Sequence, residues 1–476
     1  VSPTARVIRY IEIFPRGLML LFSSSYFVFL TAIFFLYWPL ARTRALSLAL
    51  ILFANYFFYL KWDLFYLALI PAASTIDFLL ALAMQNTKSQ HWRRLLVSLS
   101  ICLNLGILAT FKYMPLVKSD WAWVFPLGIS FYSFQALSYT IDVYRRDAKA
   151  TSSLLAYLSA VSFFPTILAG PITRPAQLIS QFEKKDKSLL PADGGRALFL
   201  IGLGLIKKLL IADYLADNLV NRVFDLPKLY SGFEVLIGVY GYAIQLYYDF
   251  SGYTDIAIGS ALLLGLKLPA NFNRPYEAEN IADFWRRWHI SLSNWLRDYL
   301  YFSLPGLRSK WKIFTYTNLV ITMLLGGLWH GASWNFAVWG LLHGCALASQ
   351  RAFQVFRNNA KPSPKPSFRF VRIFVTVHFV CFAWIFFRAP SYSAAISILE
   401  RIGSLTYSTA NITPAFALTL FLAVMFHYAP RKLYDAGLNI YTASPAIAQA
   451  AALALLVLAI QYVAATGSAP FIYTKF

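Results

Sequence analysis

The sequence predicts an all-helical, polytopic membrane protein with about 11 to 13 crossings and interfacial amphipathic helices between them. Three observations lead there. Of 476 residues, 58% are hydrophobic and only 13% charged, against roughly 45–50% and about 25% in an ordinary soluble domain, so the polar surface is too small to cover a globule in water. The apolar runs are continuous over the roughly 20 residues that carry a helix through a bilayer core, and do not alternate at period two as barrel strands do. Finally, 42 Lys+Arg stand against 21 Asp+Glu, a net charge of +21. In a multi-span chain such an excess marks the cytosolic ends of spans and faces anionic lipid headgroups, so membrane lipids are the predicted partners and nucleic acid is not.

Candidate spans begin near residues 22, 45, 63, 94, 121, 152, 196, 230, 253, 313, 331, 370, 412 and 446, some of them half-spans or fused pairs. Residues 19–476 read as one integral-membrane domain. The first run, Leu18 to Leu40, is too long for a signal peptide's apolar region and lacks a small-residue cleavage site, so it stays as an anchor. Residues 1–18 read as a dispensable leader, since Met19 followed by LLFSSSYFVF resembles a natural start. Arg351 to Arg372 carries six Lys/Arg, no acid and three prolines, and Asn271 to Lys312 carries seven basic and four acidic residues. Both loops are expected on the cytosolic side. The apolar stretch between them forms two short crossings or one broken hairpin, which puts His330 deep in the membrane or near its outer face. Cys102, Cys345 and Cys381 lie far apart, a pattern of neither a disulfide framework nor a zinc knuckle.

An ionisable side chain in lipid is costly and is by default a functional candidate. His330 leads, in MLLGGLWHGASWNFAVWG. Gly326, Gly327, Gly331, Ala332 and Ser333 leave room around one imidazole, while Trp329 and Trp334 can wall it from water. The alternative is a histidine that hydrogen-bonds between helices, with the glycines there for packing. A second candidate is His289, in the segment RPYEAENIADFWRRWHISLSNWLRDYLYFSLPG. There Phe284, Trp285, Trp288, Leu292, Trp295, Leu296 and Tyr299 recur at helical spacing, with Arg286, Arg287, Asn294, Arg297 and Asp298 largely opposite. This reads as an interfacial amphipathic helix ending at the loop around Pro305 and Gly306. It is either a membrane-surface strut with snorkelling arginines or a site where Arg286 and Arg287 hold the phosphates of a cytosolic donor.

In QLYYDFSGYTDIAIG, Asp249 and Asp255 either orient a histidine or bond to neighbouring helices. His343 reads as a packing residue, and His91, His378 and His427 have no companion motif. GLGLIKK at 202–208 lies in an apolar helix and makes no phosphate loop. No histidine pair has metal-ligand spacing, and no metal is expected.

Five segments, SFYSFQALSYTIDVYRR, FFPTILAGPITRP, YDFSGYTDIAIG, NFNRPYEAENIADFWRRWHISLSNWLRDYLY and GGLWHGASWNFAVWG, resemble in that order the membrane-bound O-acyltransferase (MBOAT) family. The similarity is greatest to the branch typified by bacterial alginate O-acetyltransferases, and extends from Met19 to the terminal PFIYTKF. The resemblance implies a many-helix membrane enzyme with a central tunnel, in which His330 of the WHG motif is the essential histidine and His289 of WHIS the second functional position. Trp329, Trp334, Asn294, Asp249 and Asp255 are assigned to that tunnel. It further implies acetyl-CoA as donor substrate with no permanently bound cofactor, an extracytoplasmic polysaccharide such as alginate as acceptor, a periplasmic acetyltransferase partner, and the bacterial inner membrane as location. Peptidoglycan O-acetylation, D-alanyl transfer and other acyl transfer on the same fold are the enzymatic alternatives. A glycan or lipid transporter is the non-enzymatic one, although no internal repeat and no regular spacing of intramembrane acids supports it.

Overall fold

Among the described residues every regular element is a helix, as the composition requires. The computed structural model describes residues 19–60, 64–117, 128–184, 188–306, 311–357 and 368–463. Residues 1–18, read above as a leader, the start of the run near 121, most of the proline-rich basic loop and the terminal PFIYTKF lie outside them.

The chain, expected as one domain from residue 19, divides into two compact units. The first contains α1 (Ser24–Leu40), α2 (Arg44–Leu60), α3 (Leu64–Asn86), α4 (Gln90–Val117) as far as Leu108, α5 (Ile129–Arg145), α6 (Leu154–Val161) and α7 (Pro175–Phe182). Its interior is tied by polar side chains that would be costly in lipid if left unpaired. Asp77 of α3 accepts from Ser100 Oγ at 2.6 Å and from Asn104 Nδ2 at 2.8 Å, both on α4. Asn55 of α2 donates to the Ser159 carbonyl at 3.1 Å and accepts from the Phe164 amide at 2.9 Å. The apolar stretch from 152, read as a span, is only the eight-residue α6.

The second unit holds the end of α4 from Ala109, then α8 (Pro191–Leu205), which continues through π-helical turns, and most of α9 (Gly232–Leu263). It goes on through α10 (Ile281–Arg287), α11 (Ile290–Trp295), α12 (Ile313–His330), α13 (Trp334–Phe356), α14 (Arg369–Arg388) and α15 (Tyr392–Gly403). The last elements are α16 (Pro414–Tyr428), α17 (Arg431–Ala443) and α18 (Ala446–Val463). The starts near 230 and 253 belong to one helix, the 32-residue α9.

Among the described residues, three helices are long and apolar enough to cross a membrane singly: Ala68–Asn86 within α3, Gln90–Met114 within α4, and α14. The pair α17 and α18, bent by 120°, qualifies together, and α1, α2 and α16 are apolar but shorter. Fewer helices therefore qualify than the 11 to 13 crossings expected. Asp193 and Arg196 in α8, the Lys207–Lys208 pair just after it, and Glu234, Asp249 and Asp255 in α9 interrupt those apolar runs. Large apolar side chains such as Val28 and Phe35 on α1 and Phe370 on α14 are left facing outward, as in a protein whose surroundings are lipid.

The stretch between the two basic loops is a helical hairpin, α12 and α13, turning at residues 331–333. A Cβ at Gly340 would lie 3.0 Å from the Leu324 Cα and press on the Met323 carbonyl oxygen, and one at Gly344 would lie 2.8 Å from the Val320 Cα. The glycines thus bring the two helix backbones together, as small residues do between membrane helices.

Candidate active site

His330 is the last residue of α12 and is buried at the tip of this hairpin. Aromatic rings surround its imidazole: Trp329 at 4.9 Å, Phe387 of α14 at 5.1 Å, Trp339 of α13 at 5.3 Å and Phe336 at 6.3 Å between centroids. The end of α12 is held from α4. Tyr113 Oη donates to the Leu328 carbonyl at 2.7 Å, and Lys112 Nζ donates to the Trp329 carbonyl while lying 5.8 Å from the Trp329 ring. These are two of the carbonyls a helix C-terminus leaves without an intrahelical partner, and a lysine there also complements the helix dipole.

His289 stands where the amphipathic segment breaks. The spacing predicts one helix through Phe284–Tyr299, but α10 ends at Arg287 and α11 starts at Ile290, with His289 between them at φ +42° and ψ +55°. A non-glycine residue in the left-handed region is strained, and persists only where its surroundings hold it. Asn271 does so. Its carbonyl oxygen accepts from the Ile290 amide at 2.9 Å, and its side-chain Oδ1 pairs with His289 Nδ1 at 3.0 Å. The imidazole packs edge-on to Phe250 of α9 at 4.7 Å. Burial pushes its pKa down to about 3, so the ring is neutral at physiological pH.

The family model of the membrane-bound O-acyltransferases matches residues 51–393, a stretch that contains both histidines. The chain belongs to this family. It is a membrane-bound acyltransferase. A probable alginate O-acetylase of Azotobacter vinelandii is 38% identical over 444 residues, covering 87% of this chain and 86% of that protein. A peptidoglycan O-acetyltransferase of Helicobacter pylori is 34% identical over 81% of this chain and 80% of its own length, and a teichoic acid D-alanyltransferase of Bacillus subtilis is 31% identical over 56% and 69%.

Several residues singled out from the sequence take other places in this MBOAT chain. Trp334, expected to wall His330, is 82% exposed. It is the first residue of α13, whose next turn faces inward, so Phe336 and Trp339 wall the imidazole instead. Asp249 and Asp255 are bonded to lysines. Asp249 pairs with the buried Lys208 at 2.8 Å, Lys208 also holds Asp213 at 2.7 Å, and Asp255 pairs with Lys207 at 2.6 Å. GLGLIKK thus matters through its lysines, which bond helix to helix. The apolar face of the 284–299 segment is spent on protein, since Trp288 packs on Phe272 and Trp384, each at 5.1 Å. Arg286 points outward and lies 3.6 Å from Asp283, whereas Arg287 is drawn back onto Asp283 at 3.0 Å. Asn294 is half-buried on α11. His343 is fully buried, accepting from Trp285 Nε1 at 3.3 Å and stacked on Phe284.

Asn271, Lys112, Tyr113 and Trp339 were not legible as site residues. Lys112 did carry a signal, a lone cation closing the apolar run ILATFKY. Asn271 carried none beyond its place in NFNRP.

Proposed function

We propose that this chain moves an acetyl group from a cytosolic thioester, acetyl-CoA, toward hydroxyls of an extracytoplasmic polysaccharide such as alginate. Transfer is direct or passes through a periplasmic partner transferase, and the chain sits in a bacterial inner membrane. The observation that carries this reading is His330, a buried imidazole ringed by the aromatic side chains of Trp329, Trp339 and Phe387. The alginate O-acetylase relatives support acetyl and polysaccharide as the substrate classes.

In the mechanism, a neutral His330 nitrogen takes the proton of the acceptor hydroxyl as that oxygen attacks the thioester carbonyl. Collapse of the tetrahedral species breaks the C–S bond. The departing thiolate takes the proton back from the imidazolium, leaving acetyl ester, free thiol and neutral histidine. General-base assistance contributes roughly 10²- to 10⁴-fold, and positioning in a dry site contributes more. His289 orients the acyl group or assists the proton transfer. Of the two donor-phosphate arginines, Arg286 is the more available, being 71% exposed. Its replacement by alanine raises KM for acetyl-CoA, by a factor that shrinks at high salt.

A second reading, D-alanyl transfer or peptidoglycan acetylation, is favoured only by the relatives that bear those names. Purified protein in liposomes, given radiolabelled acetyl-CoA and cell-envelope polysaccharide, distinguishes them. Labelled ester is the expected product, and His330→Ala lowers its formation by about two or more powers of ten. No acetyl product, with carrier-bound D-alanine accepted instead, defeats the proposal.

A further inference from the structure

His289 has two conceivable duties toward a substrate, and they need opposite atoms. Orienting an acyl carbonyl requires an N–H, whereas receiving a hydroxyl proton requires a lone pair. The hydrogen bonds around Asn271 decide which ring nitrogen carries the hydrogen.

The Oδ1 position of Asn271 receives three contacts: the Ser291 backbone amide at 3.2 Å, Ser291 Oγ at 2.9 Å and His289 Nδ1 at 3.0 Å. A backbone N–H can only donate, so the side-chain atom facing it is the amide oxygen and not the amide nitrogen. An amide oxygen can only accept, so His289 Nδ1 carries its hydrogen. A neutral imidazole has one N–H, and the lone pair therefore sits on Nε2. The Ser291 N–H alone sets which way the amide points; its Nδ2 then lies 3.5 Å from Thr254 Oγ1, and the backbone carbonyl of Asn271 is bonded to the Ile290 amide at 2.9 Å. These bonds also hold the left-handed backbone at His289, so orientation and tautomer are set by one buried residue 18 positions earlier.

We infer that Asn271 is a positioning residue that fixes His289 as a hydrogen-bond acceptor at Nε2, so that a substrate group bonded to Nε2 is a hydrogen-bond donor and not the acyl carbonyl. The Nδ1 hydrogen follows from hydrogen-bond geometry; the identity of the substrate group rests on the acyl-transfer reading above.

The test uses the full chain in liposomes with ¹⁵N-labelled histidine and solid-state NMR, which separates protonated from bare ring nitrogens. The His289 pair is identified by its loss in His289→Gln. The wild-type protein shows a protonated Nδ1 and a bare Nε2 at His289. Asn271→Leu, which removes the acceptor, populates the other tautomer and lowers kcat for acetyl transfer about tenfold or more, with KM for acetyl-CoA held within about twofold. Asn271→Asp keeps an acceptor at the same place, and restores the tautomer and most of the kcat. A wild-type His289 protonated at Nε2 overturns the inference whether or not the variants fold, as does an Asn271→Leu protein with unchanged tautomer and kcat. Wild-type protein with the expected tautomer but no acetyl transfer defeats the substrate assignment and leaves the role of Asn271 intact.

Discussion

Replacing Gly340 by alanine moves the His330 imidazole without touching it. The added Cβ lies 3.0 Å from the Leu324 Cα and presses on the Met323 carbonyl oxygen. Carbon atoms settle at about 3.5–4.0 Å, so α13 must retreat from α12 by roughly 0.5–1 Å. Two terms oppose each other in stability. Alanine in place of a mid-helix glycine gains about 1 kcal/mol of propensity, while overpacking costs about 1–3 kcal/mol, which leaves a small net loss. Activity responds more strongly. Trp339, the residue before Gly340, touches the His330 ring at 5.3 Å, and a misplacement of about 1 Å at reacting groups costs on the order of 10² in rate. Gly106 of α4 is the control, because a Cβ there meets nothing within 4 Å. Acetyl-transfer kinetics in liposomes, normalised to folded protein, and thermal unfolding in detergent are the assays. Gly340→Ala lowers kcat about 10- to 100-fold with a thermal midpoint reduced by only a few degrees, whereas Gly106→Ala keeps both or unfolds slightly later. A Gly340→Ala enzyme with wild-type kcat refutes the idea that contact between the hairpin backbones sets the place of His330.

Lys112→Met removes the donor to the Trp329 carbonyl and should lower kcat about tenfold, with Lys112→Arg recovering part of it; Tyr113→Phe, which loses one neutral hydrogen bond, lowers it less. A stopped-flow comparison of the three variants in which Tyr113→Phe is the most impaired contradicts this ordering. Lys208→Met leaves Asp213 and Asp249 facing each other in the interior without their cation, and destabilises the protein by about 3–5 kcal/mol in denaturant unfolding. Adding Asp249→Asn to that variant recovers part of the loss, and a double variant no more stable than the single one would count against a shared ion cluster.

Composition by itself determined the solvent of this protein, because 58% hydrophobic residues cannot be covered by the polar surface that remains. The local sequence exposed His330, since an imidazole among glycines and tryptophans in an apolar run is conspicuous where ionisable groups are expensive. The hairpin around His330 was legible for the same local reason, two apolar runs between two basic loops. The partners were not. Asn271 reaches His289 across 18 residues, and Lys112 reaches Trp329 across 217. Periodicity carried the helix past His289 because it registers side-chain spacing and not the long-range bonds that hold one residue in the left-handed region. Trp334 and Trp339 share one helix and are equally apolar, yet one faces outward and the other covers the imidazole. Which face of a helix turns inward depends on what packs against it, and only the tertiary structure supplies that.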